Sequence, residues 1–287
     1  MKPAVGIVGL GLIGGSLAKA IKAKTDYRVL GNDIRKDVLA LARKQSVIDG
    51  ELEDSSFGEC GLIIVALYPD DIILYCKKNF THMQSGTIVV DCGGVKTRIC
   101  ENLSVLAKSR SVRFVGGHPM AGVECSGFSN SFAELFDKAV MILCEDEYTD
   151  CGAVEELRSF FLSIGFGKIK ITTAQEHDEI IACTSQLAHL VSSAYIQSDT
   201  AKRRYGFSAG SFTDMTRVAK LNEDMWTALF FENRENLLKE TDAFLDQLRI
   251  YRDALALADC GVMKELLRKG TALKIKDEAE ENKWLMK

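Results

Sequence analysis

Up to Thr172 the apolar residues fall in short continuous runs separated by helical patterns, whereas from Thr173 onward they form long helical stripes with almost no strand character. The runs are Ala4 to Gly9, Tyr27 to Asp33, Leu62 to Leu67, Thr87 to Asp91, Arg113 to Val115, Ala139 to Cys144 and Lys168 to Ile171. Short apolar runs bounded by glycine, proline or acidic residues read as buried strands, and strands alternating with helices predict a doubly wound parallel sheet. Its ligands are expected beyond the carboxyl ends of the strands. The change of pattern places a domain boundary near Thr172, giving an α/β domain over 1–172 and an all-helical domain over 173–287. In the first long helix, from about Ala174 to Ser198, a rotation of about 100° per residue puts Ile180, Thr184, Leu187, Val191 and Tyr195 on one face. Ala182, Ser185, Gln186, His189, Ser192 and Ser193 cluster on the other, so His189 stands in a stripe of small and polar residues. A histidine satisfied inside a helix contact explains it about as well as a ligand does.

The first run leads directly into Gly9-Leu10-Gly11-Leu12-Ile13-Gly14 and then a helical pattern. In a strand-turn-helix setting the first glycine permits the tight turn, the second lets the backbone approach a pyrophosphate, and the third lets the helix pack on the strand. Asp33 closes the next run 33 − 14 = 19 residues after the last glycine, where a Rossmann fold places the carboxylate that binds the adenosine ribose. Gly9, Gly11, Leu12, Ile13, Gly14 and Asp33 are therefore the candidate cofactor residues. A carboxylate at 33 repels a 2′-phosphate, which favours NAD over NADP, although Arg35 is close enough in sequence to pair with one. A plain helix cap is the competing role for Asp33.

Two glycine-bearing segments follow strand patterns, Cys92-Gly93-Gly94 and Gly116-Gly117-His118-Pro119, and both are expected as loops at the cofactor edge. The chain has only four histidines, and His118 is read as one titratable side chain handed to a cleft by a strand tip. Arg217 offers a two-pronged receptor for a carboxylate, against the plainer reading of a surface ion pair with Asp214.

Composition narrows the picture. Lys+Arg of 36 against Asp+Glu of 40 gives a net charge of -4 with no dense basic run, so nucleic acid is not an expected partner. The glycines between Ala4 and Ala18 argue against a signal peptide, and no apolar run is long enough to span a bilayer, so no membrane partner is expected. Nine cysteines occur singly, without metal-ligand spacing, which fits reduced cytosolic thiols and no metal; Cys76 and Cys183 read as small hydrophobes.

Taken in order, Gly9 to Gly14, Asp91-x-x-x-Val95-Lys96, Gly117-His118-Pro119-Met120-Ala121-Gly122, His177-Asp178, Ser185-x-x-x-His189 and Thr216-Arg217 with Trp226 resemble the prephenate/arogenate dehydrogenase family of tyrosine biosynthesis over nearly the whole chain. The resemblance implies a dinucleotide-binding domain followed by a helical domain that forms a homodimer. It implies oxidative decarboxylation of prephenate with NAD, or of its amino analogue arogenate. His118 would draw off the ring hydroxyl proton, Arg217 would hold the ring carboxylate and His189 would lie near the substrate side chain. Gly94 and Trp226 join the candidate substrate residues, with core packing the plainer explanation for Trp226.

The chain departs from the family pattern at Gly94, where a serine often supports the catalytic histidine, at Gln186 and Ala188 in the Ser-His-Leu-Pro-His segment, and at Val123 in place of threonine. Two rival readings fit the sequence as well. A β-hydroxyacid or imine-reducing dehydrogenase would usually carry its catalytic group on the helical domain, and His118-Pro119 argues against it. A non-catalytic NAD-binding sensor is the other, and Gly94 is the feature that favours it.

Overall fold

The computed structural model describes residues 4–123 and 125–286. Its strands are β1 (Ala4–Val8), β2 (Arg28–Asn32), β3 (Gly50–Glu51), β4 (Cys60–Val65), β5 (Ile88–Asp91), β6 (Arg113–Met120), β7 (Val140–Cys144) and β8 (Lys168–Thr172). They form one sheet in the order β3-β2-β1-β4-β5-β6-β7-β8. Helices α1 (Leu12–Lys24), α2 (Lys36–Lys44), α3 (Pro69–Asn79), α4 (Thr97–Ser109) and α5 (Cys151–Ser163) make the connections. Alternation along β4 sends Leu62 and Ile64 into one buried cluster and Ile63 and Val65 into another, so the sheet is covered on both faces.

One pairing departs from the expected all-parallel sheet: β7 runs antiparallel to β6. A parallel return needs a long crossover, usually a helix. The described residues between β6 and β7 supply only the short 3-10 turns Phe128–Asn130 and Ala133–Phe136, so the chain doubles back.

The second correction concerns Gly116, Gly117 and His118, which lie inside β6 and not in a loop after it. The first half of β6 pairs with β5 up to Val115, and the second half leaves β5 behind and pairs with β7, His118 opposite Ile142. His118 is thus carried past the carboxyl end of β5 on a strand held by a neighbour on one side. A strand holds a catalytic group more rigidly than a loop would.

Beyond the sheet lie α6 (Ala174–Ile181), α7 (Leu187–Ile196), α8 (Gly210–Thr216), α9 (Glu223–Glu232), α10 (Arg234–Ala256) and α11 (Cys260–Met286). Thr173 caps α6 by accepting from Glu176 N at 3.2 Å. The single helix expected over 174–198 is interrupted by a π turn at Ala182–Gln186, which shifts the phase of the faces. Ile180 and Tyr195, from the expected apolar face, are exposed, while Ala182, Gln186 and Ser192 are buried. Cys76 is buried as expected, but Cys183 in the π turn is exposed.

The chain divides into two compact units, Met1–Arg234 and Glu235–Lys287, so the helices up to α9 belong to the same unit as the sheet. In the second unit only Leu237 and Ala254 are buried among the described side chains. Within it, Tyr251 of α10 donates its hydroxyl to Leu266 O of α11 at 3.3 Å.

Candidate active site

The glycine-rich turn between β1 and α1 is shaped as its spacing predicts. Gly9 has φ +84°, and a Cβ there would meet Ala66 O at 2.4 Å; a Cβ on Gly14 would meet Gly9 O at 1.8 Å. A Cβ on Gly11 would meet nothing within 4 Å, so that side of the turn is open to a ligand. Helix α1 starts after Gly11 with no side-chain cap and no acid in its first turn. Its first N–H groups and positive dipole end are therefore available to an anion. Asp33 is not the cap of α2, which begins after Arg35. Its carboxylate instead accepts from Leu10 N at 2.8 Å and from Arg35 N at 2.9 Å, which fixes it beside the glycine turn. A phosphate-compatible helix start with a carboxylate beside it fits a dinucleotide.

Under the tip of β6 lies an ion pair between Lys96 and Asp91, both fully buried. Lys96 Nζ also donates to Gly117 O at 2.7 Å, and Asp91 accepts from Gly93 N at 2.8 Å and Gly117 N at 3.0 Å. Burial works to strip the charge from Lys96, but the Asp91 carboxylate outweighs it and holds the ammonium above its ordinary pKa. The pair clamps the β5 end to the backbone just before His118.

His118 is half-buried, and its Nδ1 lies 2.9 Å from His177 Nε2. His177 is buried near the start of α6, and its Nδ1 lies 2.7 Å from Asp178 Oδ1. Asp178 in turn accepts from Lys96 N at 2.7 Å and Thr97 N at 2.8 Å, the first amides of α4. Burial alone would raise the Asp178 carboxyl, but hydrogen bonds from His177 and Thr97 bring it below its ordinary value. Burial pushes His118 well below the usual imidazole range, and the neighbouring His177 and Lys96 add to this. Burial lowers His177 as well, against the pull of Asp178. Both imidazoles are accordingly neutral near neutral pH, the state a general base requires.

A second group forms around His189. Its Nδ1 lies 3.1 Å from Val218 O, the residue after Arg217, and its ring is 3.9 Å from that of Trp226. Trp226 is half-buried on that ring and Arg217 is exposed at the end of α8, so neither is a core residue. Gln186 and Asn233 tie α9 to α6 and the π turn: Gln186 donates to Leu229 O at 2.9 Å, and Asn233 donates to Gln186 Oε1 and Asp178 O, both at 2.8 Å. That places Leu229 against Gly94, where a serine is missing.

Sequence reasoning missed Asn233 altogether; His177-Asp178 entered it only as a motif of the resemblance, and Gln186 only as a polar-stripe residue and a departure from the family pattern, without the contacts they make here. A cleft of about 1160 Å³ is lined by Ala4, Gly61, Ile88 and Arg113 at the amino ends of their strands, the opposite edge from His118.

Comparison with known proteins agrees with this geometry. Residues 17–170 match the prephenate dehydrogenase nucleotide-binding domain, and residues 173–269 match the prephenate dehydrogenase dimerization domain. The chain belongs to the prephenate dehydrogenase family. It is therefore an oxidoreductase with a nucleotide-binding domain. The glycine turn precedes the matched segment and rests on its own geometry. A prephenate dehydrogenase of Lactococcus lactis subsp. cremoris is 32% identical over 250 residues, 84% of this chain and 68% of that one. The solved A. aeolicus prephenate dehydrogenase, in complex with hydroxyphenyl propionate and NAD+, has a TM-score of 0.84 and 25% identity, covering 96% of this chain and 98% of its own. Synechocystis arogenate dehydrogenase has a TM-score of 0.81 and 27% identity over 96% of this chain and 99% of its own. Among the described residues no helix is long and apolar enough to cross a membrane, and no group of three or more His, Cys, Asp or Glu side chains could hold a metal.

Proposed function

We propose that the chain catalyses the NAD-dependent oxidative decarboxylation of prephenate to 4-hydroxyphenylpyruvate in tyrosine biosynthesis. The observation that carries this is His118, a neutral imidazole presented past the carboxyl end of β5 in the sheet that bears the glycine turn. Gly9, Gly11, Leu12, Ile13 and Gly14 would cradle the dinucleotide phosphates, and Asp33 the adenosine ribose. When bound there, NAD+ supplies the hydride acceptor.

His118 draws off the ring hydroxyl proton as hydride leaves the same carbon. Loss of the ring carboxylate as CO2 then returns its bonding electrons to the ring, which becomes aromatic. Arg217 holds that carboxylate, and it must not hold it more tightly in the ground state than in the transition state. His189, steadied by Val218 O and Trp226, meets the side-chain end of the substrate. Gly94, in the loop after β5, would line the substrate site. We also infer a homodimer through the helical region, supported by exposed apolar residues such as Leu245, Leu248 and Leu267, and a cytosolic setting that fits nine free cysteines.

Arogenate is the second reading, favoured by the likeness to an arogenate dehydrogenase. The test is reduced-nicotinamide absorbance on mixing the protein with NAD+ and each substrate in turn. Turnover with prephenate supports the proposal, and turnover with arogenate alone moves it to the second reading. Silence with both, alongside NAD+ binding, would overturn it in favour of a sensor.

A further inference from the structure

We propose that His177 is the positioning residue of this site: it holds the proton of His118 on Nδ1 and so leaves Nε2 of His118 as the base. The inference rests on the reading of His118 as the base and adds what orients it.

The protonation pattern follows from one fixed end. Asp178 accepts two backbone N–H groups at the start of α4 and is ionised, so it donates to nothing. His177 Nδ1, at 2.7 Å, must therefore be the donor of that pair. A neutral imidazole protonated on Nδ1 presents a lone pair on Nε2. The contact of 2.9 Å to His118 can then be made only if His118 donates from its own Nδ1. The remaining nitrogen of His118, Nε2, carries a lone pair.

The reverse pattern would need His177 as an imidazolium donating to His118. Burial opposes that charge, as does the Lys96 ammonium. The arrangement also serves the state after proton transfer. An imidazolium at His118 keeps the same donor on Nδ1, and Asp178 lies beyond His177 to balance the charge without any atom moving far. Gly94, in the loop after β5, has no hydroxyl to offer His118; His177 fills the role from α6.

The test uses the full-length protein labelled with ¹⁵N at histidine, of which the chain has four. Ring ¹⁵N shifts distinguish the two neutral forms directly. His118 and His177 are both expected as Nδ1–H forms, and His118 should revert in His177→Phe to the Nε2–H form that predominates in water. An Nε2–H form of His118 in the unmodified protein overturns the proposal.

Kinetics give the second readout. His177→Phe should lower kcat by about 10- to 100-fold, with the KM for prephenate and the NAD+ affinity held within about threefold. His177→Gln, whose carboxamide oxygen can stand near the Nε2 position and accept, should recover most of the loss. Unchanged kcat in His177→Phe, a parallel loss of NAD+ affinity, or no advantage of Gln over Phe each overturns it. His118→Asn run alongside separates the two claims: wild-type turnover there would sink the base itself, whereas a loss there with none in His177→Phe would sink only the positioning role.

Discussion

Leu229 occupies the space that a side chain at position 94 would need: a Cβ on Gly94 would stand 3.2 Å from Leu229 Cδ2. Asn233 and Gln186 fix that part of α9, so the leucine has little freedom to withdraw. Gly94 is thus matched to its surroundings, and the support a serine gives elsewhere comes from His177. Gly94→Ser should leave kcat unchanged or lower it. A several-fold rise in kcat would show that the hydroxyl is missed.

The acid limb of the pH profile follows from the low pKa of His118. The active form is the neutral imidazole, so activity is present above the His118 pKa and lost as pH falls through it. Burial, His177 and Lys96 depress that pKa and only Asp178 opposes them. The kcat/KM of the enzyme should therefore hold its plateau down through about pH 6.5, the ordinary imidazole value, and fall only below it. A limb centred above that value would contradict the half-buried, neutral base.

Arg217 is assigned to the substrate and not to the proton. Arg217→Ala should raise the prephenate KM by about 10- to 100-fold, the equivalent of the roughly 1.5–3 kcal/mol that a hydrogen bond to a charged group contributes. A loss confined to kcat would mean that the guanidinium acts on the reacting ring by another route.

Cofactor choice turns on Asp33, which Leu10 N and Arg35 N hold in place. Asp33→Ala removes the charge that a 2′-phosphate would face, and Arg35 remains nearby. The ratio of kcat/KM for NADP+ to that for NAD+ should rise by about tenfold, equivalent to roughly 1.4 kcal/mol. Wild-type protein that already prefers NADP+ would refute the assignment.

How much of this was legible in the sequence depends on how local each signal is. Gly9, Gly14 and Asp33 belong to a short strand-turn-helix unit, and the packing at each glycine follows from its spacing. His118 was visible as a rare residue beside glycine and proline, but its place inside β6 was not, because glycine and proline usually mark turns and only pairing with β7 extends the strand. The partner of His118 lies 59 residues away, beyond the reach of any spacing rule. Asp178 sits on α6, yet its carboxylate accepts from Thr97 N at the start of α4, 81 residues earlier in the chain. The π turn at Ala182–Gln186 was invisible to a constant rotation per residue, so the polar stripe was recognised but its inward packing was not.

The ion pair beneath His118 gives the sharpest stability prediction. Lys96 and Asp91 are both fully buried, and removing one partner leaves the other charge without compensation. In Lys96→Met, Asp91 would keep its bonds from Gly93 N and Gly117 N but lose its cation, and Gly117 O would lose its donor. The unfolding free energy measured by chemical denaturation should fall by about 3–5 kcal/mol. Adding Asp91→Asn to that variant removes the stranded charge, so the double variant should be more stable than Lys96→Met alone. A single variant as stable as the unmodified protein would mean that the pair does not hold its charges, and with it the clamp on the β6 backbone would have to be abandoned.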